Sequence, residues 1–270
     1  MPAGHTPVIV LMTDFGLTDT YVGQMKGVIL SIAPSAHIID LTHAISPQNI
    51  AQGAFLLGKS ASFFPDGSIF VSVVDPGVGT ARRAIAVQTE RHTFLAPDNG
   101  LLTTILQREK IQRCININIS EKRYILTSVS STFHGRDVFS PAAAHLAGGV
   151  PVQELGEEID PAGCTSIHIP DCTSNDQGQS WEGSIIFTDH FGNLVTSLES
   201  ERLDRSMQWV VRAEELQLPI SATYGDVVDQ QPLAYRGSFG MIEIGVRNGN
   251  AAKMLGIKDG DRVNVSTKKE

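Results

Sequence analysis

"VIVLMTDFGLTDTYVGQMKGVILSIAP", residues 8–34, decides the fold. Residues 8–12 form an unbroken apolar run, the pattern of a strand covered on both faces. Asp14-Phe15-Gly16 closes the run. Val22, Met25, Val28, Ile29 and Ile32 then recur at helical spacing over residues 21–33, and Pro34 stops the helix. Strand, acidic loop and helix in that order make the repeating unit of an α/β sheet. The unit recurs along the chain. Strands read at 37–41, 68–75, 84–89, 93–96 and 115–119, and helices at 50–64, 101–107 and around 142–146. The expected class is α/β, with a mainly parallel N-terminal sheet flanked by helices. Ligands of such sheets bind at loops leaving the carboxyl ends of strands. Asp14, Asp40 and Asp75 are read on three such loops.

The texture changes after residue 170. Residues 171–180, "DCTSNDQGQS", are polar and turn-rich and read as a linker. From 181 to 270 short strands alternate with Gly/Asn turns, and only 251–255 offers a helical turn. A small all-β barrel domain is expected there. The domains are therefore placed at 1–170 and 181–270.

Composition narrows the function. The 270 residues carry 21 Lys+Arg against 29 Asp+Glu, a net charge of -8. With no basic run, a phosphate-backbone partner is disfavoured, so no nucleic acid is expected. No apolar stretch approaches the ~18 residues of a membrane span, and residues 8–12 are too short for a leader, so no membrane partner is expected. Three cysteines without a C-x-x-C spacing give neither a zinc knuckle nor a disulfide framework, which fits a reducing, cytoplasmic setting.

Two stretches carry candidate chemistry. "VVDPGVGTARR", residues 73–83, ends a strand in Asp75 and returns an arginine seven residues later. Asp-Pro-Gly alone is ordinary turn chemistry. As a site, Arg82 pairs with Asp75 in a two-pronged contact, with Arg83 as rival. "STFHGRDVFSP", residues 131–141, sets His134 at a turn entering a helix that Asp137 or Ser140 would cap. His134 is either structural or, beside a strand-end carboxylate, a proton-handling group. Asp19 is either a helix cap or a second ligand carboxylate beside Asp14. In the second domain "TDHFGNLVTSL", residues 188–198, is either a plain hairpin turn or a ligand turn. As the latter, Asp189 offers a carboxylate to an ammonium, Phe191 a flat ring, and Asn193 an amide to a heterocycle edge. Ser238, Phe239 and Asn248 lie near two further turns. Kinase-like DFG and HRD echoes occur in the wrong order, and Gly77-Val78-Gly79 lacks the third glycine of a dinucleotide loop. No metal-ligand spacing occurs, and no cofactor is expected.

Six ordered motifs, "TDFGLTDTYVGQMKG", "VVDPGVGTARR", "APDNGLL", "STFHGRDVFSPAAAHLA", "FTDHFGNLVTSL" and "GSFGMIEIGVRNGNA", together resemble the S-adenosyl-L-methionine hydrolase family. Its members are also called SAM hydroxide adenosyltransferases and are related to the fluorinase and chlorinase. The resemblance runs from about residue 8 to 265. It implies hydrolysis of S-adenosylmethionine to adenosine and methionine in a homotrimer whose active sites lie at subunit interfaces. It also implies a catalytic set of Asp75, Arg82 and His134. Asp14 is implied on the ribose hydroxyls, Asp19 and Asp189 on the methionine ammonium, and Asn193 on the adenine edge. Ser238 is implied on the carboxylate, and the segment around Asn248 on adenine. In the halogenases tyrosines stand at the positions of Asp75 and His134, and a halide-contacting serine at that of Gly135. Their Ser-Arg pair is replaced here by Ser238-Phe239. The pattern resembles the hydrolase branch. A halogenase and a non-catalytic adenosine or S-adenosylmethionine binder are the alternatives.

Overall fold

The computed structural model describes residues 7–268. By its contacts the chain divides between His168 and Ile169 into two compact units.

In the first unit the order is β1 (Val8–Thr13), α1 (Tyr21–Ile32), β2 (His37–Thr42), α2 (Ile50–Ser60), β3 (Ile69–Val73), β4 (Ala84–Thr89), β5 (Thr93–Pro97), α3 (Thr103–Arg108), β6 (Ile111–Ile117), α4 (Ser140–Ala147) and β7 (Gly156–Glu158). Seven strands make one sheet ordered β2-β1-β3-β5-β4-β6-β7. The half that carries β1 and β3 is parallel, as the strand–helix alternation predicts. The β4, β6 and β7 pairings are antiparallel. For β4 and β5 the reason is chain length: three residues join them, enough for a hairpin and far too few for a crossover.

The unbroken apolar run of β1 has a simple cause. Ile9 and Leu11 enter one core with Met25 and Ile29 of α1 and Ala142, Ala143 and Ala144 of α4. Val10 and Met12 enter the opposite core with Leu57 of α2 and Ile105 of α3. Successive strand side chains point to opposite faces, so two helix layers demand apolar residues at every position. Helix α2 ends four residues before the expected boundary, and its last turn tightens to a 3-10 turn at Ala61–Phe63. Asp40 is not on a loop. It lies inside β2, opposite Leu11, and its carboxylate binds Lys26 at 2.6 Å and lies 3.0 Å from His43 Nε2.

The second unit holds β8 (Thr173–Asn175), β9 (Ser180–Thr188), β10 (Leu194–Glu199), β11 (Trp209–Ala213), β12 (Leu216–Ser221), β13 (Pro232–Arg236), β14 (Met241–Val246), α5 (Ala251–Leu255) and β15 (Arg262–Thr267). The order β10-β14-β13-β12-β11-β15-β9 closes on itself through β9–β10, a seven-stranded barrel. Closure removes the exposed sheet edges. Strand β8, drawn from the polar stretch 171–180, adds to β9. Leu194, Val211, Ala234, Ile244 and Val265 fill the barrel.

Candidate active site

The site residues fall into two groups, one in each unit. The first gathers at the carboxyl edge of β1 and β3, neighbours whose last residues Thr13 and Val73 are in register. Asp14 leaves β1 and Asp75 follows β3 by two residues. The turn after Asp75 is held by Val78 N–H donating to Asp75 O at 3.3 Å and by Thr80 Oγ1 donating to Gly77 O at 2.7 Å. Gly79 has φ +80°, and a Cβ there would stand 2.5 Å from Ser131 O. Only glycine allows both the backbone conformation and the approach. That approach draws the 75–82 turn against the segment that carries His134.

Arg82 returns on this turn. Its Nε donates to Asp75 Oδ1 at 3.1 Å and Oδ2 at 2.9 Å, and its Nη2 donates to Oδ2 as well. The same Nη2 lies 2.9 Å from His134 Nδ1. The guanidinium also lies 5.7 Å from the Phe139 ring centroid. Side-chain exposure is 8% for Arg82 and 4% for Asp75, so this is a desolvated, directed pair rather than a surface ion pair. Arg83 points elsewhere: its Nε donates to Asp98 Oδ2 at 2.7 Å and its Nη2 to Gly163 O at 2.5 Å. The doublet that sequence leaves ambiguous is thus divided, with Arg82 on Asp75 and His134 and Arg83 on Asp98.

His134 is buried where a π-helical turn, Gly135–Phe139, runs into α4. Burial lowers its pKa, and the Arg82 charge lowers it further against the opposing pull of Asp75. The imidazole is therefore neutral near neutrality. A guanidinium only donates, so Nδ1 must accept and the ring proton sits on Nε2. Neither expected cap forms. The Asp137 carboxylate accepts from Arg136 Nε at 2.6 Å and from Ser130 N at 2.7 Å, and Ser140 Oγ donates to Gly135 O at 2.7 Å. Asp137 anchors the loop before the helix instead of its first turn. Pro141 does occupy the first turn of α4.

Asp14 is half-buried and accepts from Gln48 N at 2.8 Å. Its strand end is braced by Thr13 Oγ1, 2.8 Å from His43 Nδ1. Asp19 is exposed. It does not cap α1, whose N-cap position is Thr20 and lacks a side-chain bond.

The second group lies on turns of the barrel. Asp189 Oδ1 accepts from Phe191 N at 2.9 Å and Asn193 N at 2.8 Å, and Oδ2 accepts from Asn193 Nδ2 at 2.9 Å. This makes a rigid turn between β9 and β10 with Asn193 buried and Phe191 projecting, 74% exposed. Ser238 is exposed and Phe239 half-buried on the turn between β13 and β14. Asn248 is exposed at φ +52°, its Nδ2 donating to Asp229 Oδ1 at 2.6 Å. Sequence reading missed the partners behind this group. Tyr224, Tyr235 and Glu243 continue inward from Asn193. The available signal was Glu243, the one charged residue in the apolar strand "MIEIGV".

Comparison with known proteins agrees with this division. Residues 9–156 match the SAM hydroxide adenosyltransferase N-terminal domain, and residues 183–264 the C-terminal domain of the same family. The (R)-S-adenosyl-L-methionine hydrolase of Thermus thermophilus is 37% identical over 93% of this chain and 96% of its own length. A fluorinase of Actinopolyspora mzabensis is 26% identical over 96% of this chain and 97% of its own. The crystal structure of an uncharacterized conserved protein from Thermotoga maritima superposes with a TM-score of 0.87 at 32% identity, covering 96% of this chain and 99% of that one. Both halves of the molecule match in order over nearly its whole length, and the chain belongs to the SAM hydroxide adenosyltransferase family.

Proposed function

We propose that the protein hydrolyses S-adenosyl-L-methionine to adenosine and L-methionine. The observation that carries this reading is the buried Asp75–Arg82–His134 set at the carboxyl edge of the sheet, in a chain whose near full-length relatives are named for that hydrolysis. Water oxygen forms a bond to ribose C5′ as the C5′–S bond breaks. The bond's electron pair stays on sulfur and neutralises the sulfonium, so methionine leaves without an acid. One water proton is released.

The difficulty lies in the nucleophile, because bulk water holds its proton with a pKa of about 15.7. Arg82 supplies positive field and a hydrogen bond to the nucleophile where hydroxide-like charge develops. Neutral His134, with its proton on Nε2, donates to the water oxygen and orients it; in this tautomer it is not the base. Asp75 Oδ2 carries both prongs of Arg82, whereas Oδ1 takes only the longer Nε contact, so Oδ1 is assigned to receive the water proton. Holding the oxygen in line with C5′–S contributes several kcal/mol by orientation alone.

Asp14 is assigned to the ribose hydroxyls, and Asp19 and Asp189 to the ammonium. Asn193 and the segment at Asn248 are assigned to adenine, with Phe191 beside the ring. Ser238 takes the carboxylate next to Phe239. The domains are taken as 1–170 and 181–270 joined by 171–180. A homotrimer with interfacial active sites in the cytoplasm completes the proposal. Among the described residues no helix is long and apolar enough to cross a membrane. Incubation of the purified protein with S-adenosylmethionine, with chloride or fluoride present, tests the reading. Adenosine and methionine are expected; a 5′-halo-5′-deoxyadenosine would replace it with the halogenase reading, and tight binding without product with the binder.

A further inference from the structure

A chain of short contacts runs inward from the Asp189 turn. Tyr224 Oη lies 3.0 Å from Asn193 Oδ1 and 2.7 Å from Tyr235 Oη, and Tyr235 Oη lies 2.7 Å from Glu243 Oε2. Each hydroxyl owns one hydrogen, so the direction of every bond can be counted. Asp189 Oδ2 accepts from the Asn193 amide, which fixes Nδ2 towards Asp189 and Oδ1 towards Tyr224. Asn193 Oδ1 can only accept, so Tyr224 must give it its hydrogen. Tyr224 oxygen must then accept from Tyr235, whose single hydrogen is thereby used. The contact between Tyr235 and Glu243 is left with no hydrogen unless Glu243 brings one.

We infer that Glu243 is held as the neutral acid, its Oε2–H starting a one-way chain of hydrogen bonds that positions Asn193 and Asp189. A second observation agrees. Glu243 Oε1 is buried without a hydrogen-bond partner among the described residues, a condition a carbonyl oxygen tolerates far better than half of a carboxylate. Among the described residues no cationic side chain acts on it. Tyr235 on β13 and Val195 on β10 stand opposite it in the barrel register, and Asp189 and Tyr224 face it through the chain. Gly237 closes over it, where a Cβ would stand 1.9 Å from Oε1. Burial raises the Glu243 pKa, with the Asp189 charge adding to it and the Tyr235 contact opposing.

The consequence for the site rests on the proposed substrate reading. The acid lies beneath two candidate binding turns: the Asp189–Asn193 turn through its hydrogen bonds, and the Ser238 turn through Gly237. Ionisation of Glu243 would draw the Tyr235 hydrogen back, then that of Tyr224, and leave Asn193 Oδ1 facing a lone pair. Glu243 is thus a positioning residue whose proton sets the binding turn, and alkaline pH weakens binding before it touches the chemistry.

The test uses the full chain labelled with 13C at glutamate Cδ, with the Glu243 resonance assigned by its loss in Glu243→Gln. At pH 7 that resonance is expected in the protonated position while other glutamates show carboxylate shifts. A Glu243 carboxylate at pH 7 overturns the inference whether or not the protein turns over substrate. For the positioning role, Tyr224→Phe is expected to raise KM for S-adenosylmethionine about 3- to 10-fold, the loss of one hydrogen bond, with kcat changed far less. In the parent protein KM should climb at alkaline pH, and Glu243→Gln, which keeps an N–H towards Tyr235, should flatten that climb. An unchanged KM in Tyr224→Phe, or an identical climb in Glu243→Gln, overturns the positioning role. Absence of turnover in the parent protein is a failure of the hydrolase reading and leaves the resonance as the deciding result.

Discussion

Replacing Arg82 by lysine keeps the charge and removes the fork. The guanidinium spans Asp75 and His134 at once, with Nε at 2.9 and 3.1 Å from the carboxylate oxygens and Nη2 shared with His134 Nδ1 at 2.9 Å. One ammonium cannot reproduce two prongs and a third contact in a plane. Lysine is the informative change because alanine would strand a buried carboxylate, at a cost of about 3–5 kcal/mol in stability. With charge retained, the protein should fold and bind substrate while the nucleophile loses a directed donor. Loss of one such donor costs about 100- to 1000-fold in kcat, or roughly 2.7–4 kcal/mol at about 1.36 kcal/mol per decade. Arg83→Lys is the control. Arg83 is 34% exposed at its side chain and holds Asp98 and Gly163 O, so kcat should stay within about threefold. Single-turnover release of adenosine, followed by chromatography, measures both. Arg82→Lys within tenfold of the parent, or a larger loss in Arg83→Lys, refutes the assignment.

Three further outcomes are expected. Gly79→Ala should destabilise by about 1–3 kcal/mol, seen as a lower Tm, and depress turnover, since φ +80° and Ser131 O at 2.5 Å both oppose a Cβ; unchanged Tm and turnover would contradict the proposed coupling of the two loops. The His134 pKa is lowered by burial and then by Arg82, so between that value and the ordinary imidazole value of about 6.5 the unfolded chain binds the extra proton. Stability should rise with pH through this window, and the acid limb of kcat/KM should fall below about pH 6.5; a limb at or above that value contradicts a neutral His134. Burial pushes the Cys114 thiol up to about 12 and raises those of Cys164 and Cys172, so a disulfide-exchange reagent at pH 8 should react slowly with the folded protein and promptly after denaturation.

What sequence could disclose follows the range of each interaction. Strand β1 and helix α1 were legible because burial on two faces and on one stripe writes distinct local periods, 8–12 and 21–33. The antiparallel β4–β6 and β6–β7 pairings were not, since apolar runs carry no strand direction. Asp75 and Arg82 lie seven residues apart, so their pairing could be conceived from one turn, but the choice over Arg83 depended on Asp98, a residue across the β4–β5 hairpin. Asp137 looked like a cap by position and serves the preceding loop, because the helical path already begins at the Gly135 turn. The Asn193–Tyr224–Tyr235–Glu243 chain joins residues on or beside the neighbouring strands β10, β12, β13 and β14, brought together by sheet pairing rather than by one local motif, and one glutamate in an apolar strand was its single local trace.

The central claim is that water attacks ribose C5′. Turnover of S-adenosylmethionine in 18O-labelled water, with mass spectrometry of both products, tests it most directly. The account predicts 18O in the 5′-hydroxyl of adenosine and none in methionine. Label in any other product, or adenosine formed without label, would contradict it.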